Sequence, residues 1–286
     1  MLAYEECAGK VFFPPALVPL ANHPQLRERG PSALREVLVQ HLYGYVDFTA
    51  SFEIEVVNSA AKMIAGRRVP FDLPEQMFLD AYKIYCDEAY HSVFSADIKC
   101  QVRDVTGVTP VPYDFGAFLR RLDEVIALAP AENESLVRLF IAIVFETLIS
   151  ATLNKIPNDE QVITAVREMV GDHADDEARH HFYFASLMDL IWPQLTNGQR
   201  SIIAPLLPKL IIKCLEPDYA AARRWLSGLD FGVDAIHQIV EESYPWAEVV
   251  VGIKKTARAT LGILERNGVL EEPAALDAAQ ECGLLS

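Results

Sequence analysis

Glutamate and histidine recur at helical spacing in four separate stretches of this chain: Glu53, then Glu88 and His91, then Glu146, then His173, Glu177 and His180. Charged groups on apolar helix faces are costly unless a partner or a metal ion compensates them. Four carboxylates and three imidazoles converging from four helices are the donor set of a two-metal site inside a helix bundle. The strongest piece is HADDEARHH at 173–181. Helix positions i, i+4 and i+7 share a face, so His173, Glu177 and His180 are expected to point to one place. In DEAYH at 87–91, Glu88 and His91 stand at i and i+3, the Glu-x-x-His arrangement of carboxylate-bridged bundles. An aspartate precedes the glutamate in both stretches (Asp87 and Asp176), and a ligating histidine commonly donates its other N–H to a carboxylate. Both aspartates are therefore expected behind the histidines.

Glu146 lies inside LFIAIVFETLIS, where an unpaired carboxylate would be driven to its neutral form. A divalent cation removes that cost; so would an arginine, Arg138 being the candidate two turns away. Glu53 competes with Glu55, since their side chains point roughly 200° apart on a helix. Glu53 shares a face with Val46, Thr49, Val56, Val57 and Ala60, Glu55 with Phe48, Ser51, Ser59 and Lys62. The core-facing candidate is Glu53. Oxygen and imidazole donors without thiolate suit iron or manganese rather than tetrahedral zinc. Phe52, Tyr90, Phe94, Phe145 and Phe182 flank these residues and are expected to enclose a substrate pocket. His23, His41, His181 and His237 lack ligand geometry.

The elements that must position this set are long helices. The pattern predicts one from a Ser32 cap to about Gly66, one from Asp72–Pro74 to about Val102, one over about 132–154, and one from an Asn158 cap to Trp192. A short helix is expected over about 115–128, and residues 1–30 are expected to wrap the surface. Leu136–Leu153 is too short for a comfortable membrane span and carries Glu146 at its middle, so it reads as a buried core helix. Residues 196–286 are helical in pattern but broken by prolines, and no strand signal appears. The expectation is an all-α chain forming one domain over 1–286, with a four-helix bundle core at about 33–193 and further C-terminal helices.

A formal charge of −15 argues against nucleic acid or an anionic membrane as partner. An acidic carrier protein would need a local basic patch such as Arg223 and Arg224. Five cysteines without a CxxC pair read as reduced thiols of a cytoplasmic protein, and the N-terminus lacks the form of a signal peptide.

The seven-residue pattern Glu53, Glu88-x-x-His91, Glu146, His173-x-x-x-Glu177-x-x-His180 resembles the di-iron N-oxygenases of the p-aminobenzoate N-oxygenase type, over about residues 40–193. The resemblance implies a ferritin-like bundle, two iron ions, dioxygen as co-substrate, an external electron donor and a homodimer. It implies oxidation of an amine, aryl or amino-acid-type and free or carrier-bound, to a hydroxylamine, nitroso or nitro product, often in natural-product biosynthesis. By that resemblance one iron has Glu53, Glu88 and His91 around it, and the other His173, Glu177 and His180. Arg179, Arg223 and Arg258 are candidates to meet a substrate carboxylate. The competing readings are another di-iron oxidase (hydroxylase, desaturase, or a radical-generating subunit using Tyr90), a ferritin-like iron-binding protein, and a helical protein with paired buried charges.

Overall fold

The computed structural model describes residues 2, 4–153 and 155–285. Helices follow one another as α1 (Pro24–Glu28), α2 (Pro31–Phe52), α3 (Asn58–Ala65), α4 (Glu75–Thr106), α5 (Phe115–Ile126), α6 (Glu134–Leu153) and α7 (Thr164–Ile191). They continue as α8 (Asn197–Ile203), α9 (Leu206–Leu215), α10 (Tyr219–Ser227), α11 (Val233–Ser243), α12 (Trp246–Thr256), α13 (Arg258–Arg266) and α14 (Pro273–Glu281). Among the described residues there is no strand, only a bridge pairing Val11 with Val162. The chain is all-α, as its periodicity predicts.

A π turn, Glu53–Val57, joins α2 to α3, so the first bundle helix is one rod with a widened turn at its middle. Such turns insert one extra residue into an α-helix and are common at functional sites. The other bundle members are α4, α6 and α7. α6 lies against α7, α2 and α3 lie against α4, and α4 meets α7. Of the later helices, α9 and α13 pack on α6, and α10 on α2. Thr260 of α13 donates a buried hydrogen bond of 3.0 Å to Thr147 of α6, one residue from Glu146.

Three local expectations are corrected. The α2 cap is Gly30, at φ 89°, followed by Pro31 as the first helical residue, rather than Ser32. The left-handed φ favours glycine, and proline is well suited to the first helical position. Helix α7 starts at Thr164 rather than near Asn158. Val11 accounts for the delay: its N–H donates to Gln161 and its carbonyl accepts from Ile163, holding that stretch extended. Residues 1–30 do not merely wrap the surface, because Phe12, Phe13, Val18, Leu20 and Leu26 are buried against α2.

The apolar interior falls into two clusters with a polar layer between them. Along α4, Ile84 belongs to one cluster and Ile98 to the other, with Glu88 and His91 between. Along α7, Val170 and Phe184 belong to opposite clusters, with His173, Glu177 and His180 between.

Candidate metal centre

All seven expected residues meet in that layer, and all are buried. Glu53 comes from the π turn, Glu88 and His91 from α4, Glu146 from α6, and the other three from α7. The donor atoms form two groups, each with its atoms within 4.8 Å of one another: Glu53, His91, His173 and Glu177, and Glu88, Glu146, Glu177 and His180. Glu177 belongs to both. Its Oε1 lies 3.2 Å from His173 Nε2 and 3.2 Å from His180 Nδ1. Glu88 also spans the groups, with Oε2 2.8 Å from His91 Nδ1 and Oε1 2.9 Å from His180 Nδ1.

This grouping differs from the expected one. His173 joins Glu53 and His91, with Nε2 3.5 Å from Glu53 Oε1 and its ring 4.2 Å from the His91 ring. It does not join His180. Seven residues of helix separate the two by roughly 10 Å along the axis, so they address neighbouring points rather than one. Glu177 stands between them and serves both.

The aspartates cross over. His91 Nε2 lies 3.2 Å from Asp176 Oδ2, and His180 Nε2 lies 3.3 Å from Asp87 Oδ2. Each aspartate thus supports the histidine of the opposite helix. An ionised carboxylate only accepts, so each aspartate favours a proton on Nε2, which leaves Nδ1 as the nitrogen that can face a metal ion. Asp176 is in turn held by Arg179.

Among the described residues, no lysine or arginine enters the layer. Arg138, the alternative partner for Glu146, is on the surface with Glu134 and Asp123. Burial raises Glu53 and Glu146 well above the ordinary carboxylate range, and the neighbouring glutamate charges add to it. Burial also raises Glu88, helped by the Glu177 charge. For Glu177, burial is outweighed by hydrogen bonds from His173 and His180, and it stays below that range. Burial depresses His91 to about 4. His173 and His180 overcome burial through their carboxylate partners and rise to about 10 and about 11. In Glu53, Glu146 and Glu177 the Oε2 oxygen is buried without a hydrogen-bond partner. Buried carboxylates with unused lone pairs, beside three imidazoles and with no lysine or arginine next to them among the described residues, fit a pair of divalent metal ions.

Glu55 lies elsewhere. It is exposed and lines an outer cavity of about 280 Å³ with Val56, Ser59, Leu119 and Arg138. The expected pocket residues split. Phe52 and Phe145 are buried and pack with ring centroids 3.6 Å apart, and Phe94 is half-buried beside Tyr90. Tyr90 and Phe182 are corrections: they are 63% and 74% exposed, so they enclose nothing in this chain. Each stands two residues after a donor, Glu88 or His180, and two residues turn a helix by about 200°. Of the arginines, Arg179 holds Asp176, Arg223 lines a surface groove with Arg224, and Arg258 lines another with His181. Sequence reasoning missed Tyr45, two turns before Glu53. Its pKa is raised, first by burial and then by the Glu53 and Glu177 charges. A tyrosine on the inner side of the helix bearing Glu53 was the available signal.

A helical bundle whose interior is crossed by two adjoining carboxylate–imidazole groups is the architecture of a di-metal carboxylate protein. The sequence profile of the p-aminobenzoate N-oxygenase AurF family matches residues 3–262, and the chain belongs to that family. It is accordingly a non-haem di-iron oxygenase, an oxidoreductase with a ferritin-like all-α fold. A comparison with curated proteins finds no match. Among the described residues, no helix is long and apolar enough to cross a membrane.

Proposed function

We propose that this protein is a dioxygen-dependent N-oxygenase that converts an amine, aryl or amino-acid-type, to a hydroxylamine, nitroso or nitro product. The observation that carries this reading is the pair of donor groups joined at Glu177, with His173 as a third imidazole in a family named for amine oxidation. Glu53, His91 and His173 would hold one iron, Glu146 and His180 the other, with Glu88 and Glu177 shared. Two irons held by these residues would supply the electrons for dioxygen activation. Asp176 and Asp87 keep His91 and His180 in the donor tautomer. Phe52 and Phe145 keep water from the wall beside Glu53 and Glu146. His173, its proton displaced by a bound metal, would add a neutral nitrogen donor to its group. An external donor returns the electrons, and the amine is a small molecule, free or carrier-bound. We place the reaction in cytoplasmic natural-product biosynthesis.

The test loads the chain anaerobically with ferrous iron, then adds dioxygen, a reductant and a panel of amines that includes p-aminobenzoate. Two irons per chain and an amine product heavier by oxygen on nitrogen are expected. Two irons with only carbon hydroxylation or desaturation would transfer the protein to another class of di-iron oxidase. Failure to bind iron would remove the reading altogether.

A further inference from the structure

The rod that carries Glu53 turns a second set of residues outward. From Glu55 to Met63 it forms one wall of the cavity of about 280 Å³, and α5 and the first half of α6 form the others. The floor is buried and apolar: Ala60, Leu122, Leu139 and Ile141. The rim is exposed, with Glu55, Asp123 and Arg138 as its charged members. A concave apolar site edged by a few polar groups is the usual form of a small-molecule site, and this one is at the small end of the range. Along α6 the cavity residues Ser135 to Ile141 come first, then Phe145, then the donor Glu146. Along the rod the order is Met63, Ala60, Val56 and then Glu53. Phe145 packs on Phe52 and Phe52 on Phe118, which precedes the lining Leu119 by one residue. The near end of the cavity therefore abuts the aromatic cluster that backs Glu53 and Glu146. Arg138 is already engaged, by Glu134 at 3.0 Å and Asp123 at 3.5 Å. Glu55, Asp123 and Glu134 thus share one guanidinium, and the rim is negative; the neighbouring Lys62 of α3 is not part of the wall.

We propose that this cavity holds the body of the amine substrate, and that the substrate carries a second, cationic group that stays at the rim beside Glu55 and Asp123. The proposal rests on the N-oxygenase reading and narrows its substrate to a one-ring or short-chain amine with a cationic tail. The apolar floor removes the ring or chain from water, and the carboxylates fix which end stays outside. An anionic tail would meet Glu55 and Asp123 as like charges, and could reach Arg138 only by displacing Glu134. The formal charge of −15 draws the same class of molecule from solution.

The experiment is calorimetric binding to the iron-loaded full chain without oxygen, where no turnover occurs. Its three probes share one ring and differ in the tail: 4-aminobenzylamine (cationic), p-toluidine (neutral) and p-aminobenzoate (anionic). 4-Aminobenzylamine should bind about 10-fold tighter than p-aminobenzoate. Glu55→Gln and Asp123→Asn should each weaken it about 3-fold and leave p-toluidine unchanged. Ala60→Leu, which fills the floor, should abolish binding of all three with iron content and helical circular dichroism unchanged. Met63→Trp fills the far end and serves the same purpose if Ala60→Leu does not fold. Equal affinity for the three tails, tighter p-aminobenzoate, or binding indifferent to the filling variants overturns the proposal. Oxygen and a reductant then separate the site from the reaction. An N-oxygenated product whose formation ignores the filling variants overturns the cavity and spares the function. Binding as expected, in a chain that oxygenates only carbon, keeps the cavity and overturns the N-oxygenase reading.

Discussion

Asp176 Oδ2 stands 3.2 Å from His91 Nε2, so the carboxylate one residue before Glu177 supports an imidazole on a different helix. With Asp87 on His180 the arrangement is reciprocal. Asp176→Asn keeps the shape and removes the charge that fixes the tautomer. Iron affinity is expected to fall about 10- to 100-fold with little change in fold, measured by chelator competition on the ferrous protein. Unchanged affinity in both Asp176→Asn and Asp87→Asn would show that the crossed pairs do not hold the donor tautomer.

Glu53 and Glu55 separate cleanly in a substitution test. Glu53→Gln is expected to leave one iron per chain, because its group keeps only His91, His173 and the shared glutamates. Glu55→Gln is expected to keep both irons, since Glu55 faces the outer cavity. Metal analysis after desalting decides between them; equal loss from both variants would refute the assignment.

Glu146 gives the metal-free chain a pH dependence of definite sign. Its folded pKa is raised well above 4.5, by burial first and then by Glu177, Glu88 and Glu53. Above 4.5 the unfolded chain releases this proton while the folded chain keeps it. Stability contributed by this group is therefore present at low pH and lost as pH rises, until Glu146 ionises in the folded state too. Glu146→Gln cannot ionise, and its metal-free form should be about 1–3 kcal/mol more stable than metal-free wild type near neutral pH, while binding less iron. Urea unfolding at several pH values reads both effects. A variant less stable at every pH contradicts the account.

His41 acts in the opposite pH direction. Its ring lies 4.6 Å from Phe13 and 5.2 Å from Trp225, and burial lowers its pKa from 6.5 to about 4. The unfolded chain takes up a proton below 6.5 that the folded chain refuses, so stability is lost as pH falls from 6.5 toward 4. Between about pH 7 and about pH 5 the wild type should lose about 2 kcal/mol more than His41→Gln. Parallel acid profiles for the two proteins would exclude His41 as the cause.

The donor residues of α4 and α7 were legible because Glu and His recur there at helical spacing, and Glu146 because it is a charge among Phe145, Leu148 and Ile143. The sequence could not say that Glu177 and Glu88 are shared, or that Asp87 reaches His180 rather than His91. Those facts depend on how α4 and α7 are aligned, and no spacing within one helix records it. The grouping of His173 with His180 failed for a simpler reason: one face does not mean one height. Tyr90 and Phe182 were misjudged although their offset of two residues from a donor already placed them outside. The π turn left no local mark, since EIEVV has ordinary helical composition.

That π turn also sets a limit on how this chain can change in length. Deleting one residue from Glu53–Val57 would restore a regular helix and rotate all of α2 by about 100° against α3. Glu53 would leave the polar layer, and Val46 and Phe52 would be turned away from their places in the core. Insertions and deletions in descendants of this gene should therefore collect in the loops around Gly66, Gly107 and Asn197, while the span from Pro31 to Ala65 keeps a fixed count.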